Sequence, residues 1–435
     1  MAKEIQELAR GFDISVEWPA IPVSGGDRAL DASVGRLKIE VGGVAATAYR
    51  SDKGDTGATV EIPLYDLVEW LASNWWSILF EPKKSEDSEI DTDFRFRHWL
   101  GSARKGLALP SVWFLPAGDD IEIDCEEAYL RFSRLTFTER AATIIPRRDF
   151  RTTLTDFVNR TFERMAVNNV RDTAAHRFWR LVEETEPEEE IYCQLMGSLG
   201  LSPYQENPAT TVLLDEAMNA RIPHDILIDI CEAAQPHNLA VTLAKGSGFF
   251  EALANSKPSN LEVLSEIQLP SDNSSLAWRW GLECSKRVQA KLAISPFDAN
   301  GSERFFDALR LDYAGLGGIT DTEEVSAALS RQELEMHVAL GDSPEPQRRF
   351  NAARAAFLGW TAKERTQRLV TGAKTRQQQA SRAFAAQLLA PIEYIKARSA
   401  NQILSKVRVS EIAGDLNVSP AVVGYQAVNN RINIV

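Results

Sequence analysis

Side chains that ligate metals, attack carbonyls or shuttle protons are widely scattered in this 435-residue chain. The five histidines are His98, His176, His224, His237 and His337, and no two lie within five residues of each other. Glu333, Glu335 and His337 form the tightest ionisable group. Their alternate spacing on a helix would splay them over different faces, so a solvated face is expected there. His98, beside Trp99, reads as a packed aromatic neighbour rather than a ligand. Cys125, Cys193, Cys231 and Cys284 contain no C-x-x-C pair. They read as reduced, mostly buried thiols of a cytoplasmic protein, not as a disulfide frame or zinc ribbon. Gly246-Ser247-Gly248 and Gly315-Leu316-Gly317-Gly318 are too short for a phosphate-cradling loop or a dinucleotide fingerprint, and read as turns. Trp75-Trp76 reads as core, the alternative being an exposed docking anchor.

Positive charge is the more pointed signal. Residues 344–408 hold 13 Lys and Arg against three Asp and Glu (Glu345, Glu364, Glu393), a local +10. The whole chain carries −13, so the remainder carries −23. That excludes a uniformly basic nucleic-acid binder but leaves room for a basic patch. Arg348, Arg349, Arg354, Lys363, Arg365, Arg368, Lys374, Arg376 and Arg382 are dense enough to follow a phosphate backbone. Two alternatives stay open. These charges could dock on the acidic remainder, including Glu183–Glu190, or on a partner; they could also be soluble helix faces.

Four segments in the same region carry a resemblance. Trp280-Gly281 to Leu292 is one and Arg349-Phe350-Asn351-Ala352-Ala353 the second. Phe384-Ala-Ala-Gln-Leu-Leu-Ala-Pro391 is the third and Val409 to Val423 the fourth. Together they resemble the ImmA/IrrE family of zinc metallopeptidases across residues 273–435. The resemblance implies a mainly helical zincin-like domain with an H-E-x-x-H helix, an acidic ligand on a second helix and a helix-turn-helix-like tail. In H-E-x-x-H the two imidazoles share a helix face and hold zinc, while the Glu serves as general base. The matching positions read Arg354-Ala355-Ala356-Phe357-Leu358, and the acidic ligand falls near Gln379 and Ala380. Imidazoles and base are lost, and Arg354 puts a fixed positive charge where a cation would sit. The expectation is a domain with no catalytic residue, metal or cofactor. It would serve as a binding or sensing module whose lost zinc groove, holding Arg354, is the recognition cleft. Active members of the family cleave repressors and act in bacterial stress response, mobile-element regulation and phage defence. The partner is then a protein or a nucleic acid. Alternatives are a DNA-binding regulator using residues 344–408 and the tail, or a metallopeptidase with relocated zinc ligands.

In the tail, Val409–Ala413 suits a first helix and Asn417 a turn. Ser419 suits the cap of a second helix opening on Pro420. Tyr425, Gln426, Asn429 and Asn430 are its polar side chains, with no Arg before Arg431, so packing within the domain and DNA contact both remain open.

The elements that must position these residues follow from hydrophobic period. Ile14–Trp18 and Leu37–Val41 alternate as half-buried strands, with Gly42-Gly43 turning into Val44–Tyr49. Val112–Leu115, Pro116–Asp120 and Ile121–Cys125 read as strand, turn, strand. Leu64–Phe80 reads as one amphipathic helix and Lys83–Asp93 as a loop. Helical periodicity covers much of 151–270, with a break at Pro187. It returns over Trp278–Leu292, Phe305–Leu311, Thr322–Leu340, Gln347–Trp360, Gln377–Leu389 and Pro391–Ala400. The predicted class is α+β: a strand-rich domain over 1–150, a helical region over 151–272 and the mainly helical zincin-like domain over 273–435. No run of about 18 apolar residues or signal-like start occurs, so no membrane partner is expected.

Overall fold

A computed structural model describes residues 11–19, 26–84, 92–270, 276–322, 324–362, 365–399 and 403–435. The chain is α+β and divides into two compact units, residues 1–208 and 209–435. The helical region expected over 151–272 is shared between them. Most of the loop expected over Lys83–Asp93 lies outside the described residues, as does Lys363.

The first unit holds eleven strands, seven α-helices and one 3-10 turn of helix among its described residues. The strands are β1 (Phe12–Glu17), β2 (Val34–Val41), β3 (Val44–Ala45), β4 (Tyr49–Ser51), β5 (Thr56–Gly57) and β6 (Val60–Pro63). They continue as β7 (Ser111–Pro116), β8 (Asp120–Glu126), β9 (Ala128–Leu130), β10 (Leu135–Phe137) and β11 (Ala141–Pro146). The helices are α1 (Arg28–Ala32), α2 (Tyr65–Ser73), α3 (Trp75–Phe80), α4 (Thr92–His98), α5 (Arg147–Val167), α6 (Ala174–Glu183) and α7 (Pro187–Ser198). Three antiparallel sheets result: β1-β2-β3 with β6 on β2, β5-β4-β10-β9, and β11-β8-β7. Alternation drives the first. Phe12, Ile14 and Val16 face inward and pair with Val41, Ile39 and Leu37. These side chains join Trp75, Phe114, Phe150 and Phe157 in one core.

The helix expected over Leu64–Phe80 is two helices. Asn74 leaves the helical region at φ −110°, and its Nδ2 donates to the Trp70 carbonyl at 2.8 Å. An Asn side chain that bonds nearby backbone competes with the helix ladder, and here it ends one helix and starts another. The break lets Trp75 meet Trp179 edge-on at 4.8 Å. Both Trp75 and Trp76 are core. Pro187 opens α7, and Glu188, Glu189 and Glu190 fill its first turn, where carboxylates favour the positive end of the helix dipole.

The second unit begins with α8 (Pro208–Asn219), whose first residue closes the preceding unit, α9 (His224–Ala233) and α10 (Leu239–Ala252). There follow β12 (Pro258–Asn260), α11 (Glu262–Ser265), α12 (Ala277–Lys291), α13 (Glu303–Leu309), β13 (Val325–Gln332), β14 (Glu335–Leu340) and α14 (Glu345–Thr361). The chain continues through β15 (Arg365–Thr371), α15 (Arg376–Leu389) and α16 (Ile392–Arg398). It ends in β16 (Ile403–Leu404), α17 (Lys406–Asp415), α18 (Pro420–Asn429) and β17 (Asn433–Ile434). The main sheet is antiparallel in the order β12-β14-β13-β15, and β16 pairs in parallel with β17.

The helix expected over Thr322–Leu340 is the hairpin β13–β14, turned by Glu333-Leu334 with Glu333 at φ +56°. Val325 to Leu329 are buried on both faces of the strand. Such a strand shows no period-two alternation, and its Ala-Ala-Leu run mimics a helix. α14 packs on this sheet, and α12 and α15 pair closely. A Cβ at Gly281 of α12 would sit 2.1 Å from the Ala380 carbonyl oxygen of α15. Trp280, Phe305, Phe357 and Phe384 centre the core.

Candidate functional site

α14 is buried from Asn351 to Trp360. Its turn length brings residues 351, 354, 355 and 358 to one side of the helix. Ala355 and Leu358 are plain core residues. Arg354 is 5% exposed and reaches across to β15 and α15. Its Nε donates to Ser381 Oγ at 3.1 Å. Its Nη2 donates to the Thr371 carbonyl at 2.6 Å and to Gln378 Oε1 at 2.9 Å. All three acceptors are neutral, and among the described residues no carboxylate bonds this guanidinium. Burial, reinforced by the nearby Arg382 charge, pulls its pKa well below the ordinary arginine value.

The acceptors are themselves pinned. Gln378 Nε2 donates to the Leu369 carbonyl at 2.7 Å, and its Oε1 also receives Thr371 N–H at 3.2 Å. Ser381 Oγ donates to the Gln378 carbonyl at 2.8 Å. Arg382 adds Nη1 to the Thr371 carbonyl at 3.3 Å and Nη2 to the Ala373 carbonyl at 2.9 Å. One polar knot thus joins α14, β15 and α15. Gln379, near which the resemblance puts the acidic ligand, donates to the Lys374 carbonyl at 2.6 Å. Its neighbour Gln378 is the one that bonds Arg354. A signature that aligns to within one residue cannot separate neighbours 100° apart on a helix. Arg354, expected to face a recognition cleft, is instead buried with its guanidinium bonded inside the domain.

Most of the other candidate cations turn inward too. Arg349 is 1% exposed. It donates Nη1 to the Leu416 and Asn417 carbonyls at 3.2 and 2.8 Å, and Nη2 to Ser302 Oγ and Glu303 at 2.9 and 2.6 Å. Asn417 is the left-handed turn residue of the tail, at φ +49°, so Arg349 satisfies the carbonyls that end α17. Arg348 donates Nε to the Tyr313 carbonyl at 3.0 Å and Nη1 to the Ser343 carbonyl. Arg368 forms a two-pronged bridge to Asp229 of α9, Nε to Oδ2 at 2.8 Å and Nη2 to Oδ1 at 2.7 Å. Asp229 is wholly buried and also receives Leu369 N–H at 2.7 Å. Arg376 is buried and Lys374 half-buried, while Arg365 is exposed at the start of β15. Phosphates cannot be tracked by guanidiniums spent on interior carbonyls.

Sequence reasoning missed a further polar contact on α14. Buried Asn351 donates to Asp321 Oδ2 at 3.1 Å. Burial pushes the Asp321 carboxyl up, against the hydrogen bonding of Ser343 and Asn351.

In the tail, Ile412, Ala413, Leu416, Val423 and Ala427 belong to the domain core. Gln426 donates to Gln387 Oε1 and the Ala390 carbonyl at 3.4 and 3.1 Å. Tyr425 and Asn429 remain exposed.

Glu335 and His337 share one face of β14 with Nε2 to Oε1 at 3.1 Å, so the helix expected to splay them is absent. Among the described residues, no group of three or more His, Cys, Asp and Glu is placed to hold a metal ion. No described helix is long and apolar enough to cross a membrane. The four cysteines are buried and form no disulfide among the described residues. His98 is buried and stacks on Phe94 at 4.0 Å rather than on Trp99. Comparison with family models, with curated proteins and with solved structures finds no match to this chain.

Proposed function

We propose that residues 209–435 form a non-catalytic binding or sensing domain of the ImmA/IrrE type, in which Arg354 has replaced the metal as the tie between two helices. The observation that carries this is the knot of Arg354 with Thr371, Gln378 and Ser381. A zinc ion would link α14 to α15 through its ligands; here one guanidinium makes that link with neutral acceptors. With Ala355 at the general-base position and Leu358 in the core, nothing there can activate water. The resemblance places such a domain in bacterial stress response, mobile-element regulation or phage defence.

A protein partner is favoured over DNA for the tail. Ala421, Tyr425 and Val428 come out on the solvent side of α18 at helical spacing, and Val407 is exposed on α17. Within α18 that face carries no cation to meet a phosphate, and the exposed Lys406, Arg408 and Arg431 lie outside α18. The test is a peptidase assay on unstructured protein substrates with and without added zinc. No turnover is expected in either condition. Turnover that requires zinc and stops with a chelator would overturn the proposal in favour of relocated ligands.

A further inference from the structure

We propose that the outer face of the sheet β5-β4-β10-β9, in the first unit, binds single-stranded nucleic acid. Cross-strand pairing puts Tyr129, Thr136, Arg50 and Thr56 in one row over four strands. Phe137 is fully buried on the neighbouring row, so this row is the solvent side. Tyr129 is 58% exposed on it.

The hairpin β9–β10 closes with Arg131-Phe132-Ser133-Arg134. Phe132 is 95% exposed, the most exposed large apolar side chain among the described residues. Arg134 holds φ +50°, a left-handed position that Gly or Asn would occupy at less cost. Arg50, Arg131 and Arg134 are exposed, and their guanidiniums make no hydrogen bond or ion pair among the described residues. Neighbouring arginines do pair: Arg36 with Glu61, Arg140 with Glu127, Arg147 with Asp119. The adjoining acids are engaged as well. Asp55 bonds Ser51, and Asp52 accepts from Tyr129 Oη at 3.4 Å.

One aromatic ring and one guanidinium on the solvent row of the sheet, with a second ring and two more guanidiniums at the hairpin turn that ends it, form a combination suited to hold an unpaired strand. A membrane surface fits less well, because one Phe supplies little apolar area and the row behind it is hydroxyl and guanidinium. The chain's −13 charge repels a polyanion at long range, so contact depends on these local groups and on low ionic strength.

The test is fluorescence anisotropy of a labelled single-stranded oligothymidylate of about twenty nucleotides with the full chain at low salt. Binding is expected, with log K falling against log salt at a slope of about −2, from three cations at roughly 0.7 each. Phe132→Ala is expected to weaken it roughly five- to hundredfold, and Phe132→Trp to retain it. Arg131→Ala and Arg134→Ala should each flatten the slope by about 0.7. These side chains are exposed, so unchanged thermal melts will confirm that each variant folds. Three results would overturn the proposal: no binding at low salt, binding that Phe132→Ala leaves unaltered, or equal affinity for a duplex of the same length. Phe132-dependent binding to vesicles of mixed neutral and anionic phospholipid, without oligonucleotide binding, would overturn it in favour of a membrane surface.

Discussion

Replacing Arg368 by Ala separates an interior tie from a surface phosphate contact. The substitution removes Nε and Nη2 from a fully buried carboxylate and, among the described residues, leaves Asp229 the Leu369 N–H as its hydrogen-bond donor. Glu232 and Asp225 lie close enough to help hold the Arg368 guanidinium protonated, and without that guanidinium they surround Asp229 with like charge. Stranding one partner of a buried ion pair typically costs about 3–5 kcal/mol. For a unit of this size each kcal/mol lowers Tm by about 2–4 °C, so a fall of roughly 6–20 °C is expected. Urea denaturation followed by tryptophan fluorescence measures the loss. The paired change Arg368→Met with Asp229→Leu should lose less than the two single changes added, because no charge is stranded. A loss below about 1 kcal/mol for Arg368→Ala would refute the reasoning, since that is the range of an exposed pair.

Three further outcomes follow from the packing. Burial alone would raise the Glu81 carboxyl. Hydrogen bonds from His98 and Arg97, and their charges, instead hold it at about 2 against an ordinary 4.5. Its contribution of about 3 kcal/mol is therefore complete above pH 4.5 and lost as pH falls toward 2. The stability gap between wild type and Glu81→Gln, measured by urea midpoints, should shrink from pH 6 to pH 3; a constant gap contradicts the assignment. Burial, aided by nearby glutamates, pushes the thiols of Cys125 and Cys193 up to about 12 and about 11. A thiol reagent should find no rapidly reacting cysteine in the native protein and four after denaturation. Gly281→Ala drives a methyl group into the Ala380 carbonyl and should cost about 1–3 kcal/mol by calorimetry.

Where hydrophobic period was clean, the fold was legible. β1, β2, β7 and β8 alternate because one face is buried, and α12, α14, α15 and α16 carry stripes their neighbours cover. β13 escaped because burial on both faces erases alternation. β15 escaped because Arg365, Gln367 and Arg368 look like solvent residues until Asp229, 139 positions away from Arg368, is brought against it. The same limit governs the site. Composition reveals a +10 segment but not which way each guanidinium points, and Arg349, Arg354 and Arg368 found their acceptors through tertiary contacts. The exposed Arg131-Phe132-Ser133-Arg134 turn drew no notice in sequence, because two arginines around one phenylalanine are ordinary until exposure and the absence of partners are known.

The most direct measurement is the zinc content, by elemental analysis, of protein purified from zinc-supplemented medium without chelator. With Arg354 as the tie between α14 and α15, the metal should be far below one per chain, and chelator should leave the urea midpoint unchanged. One zinc per chain whose removal lowers that midpoint would contradict the account.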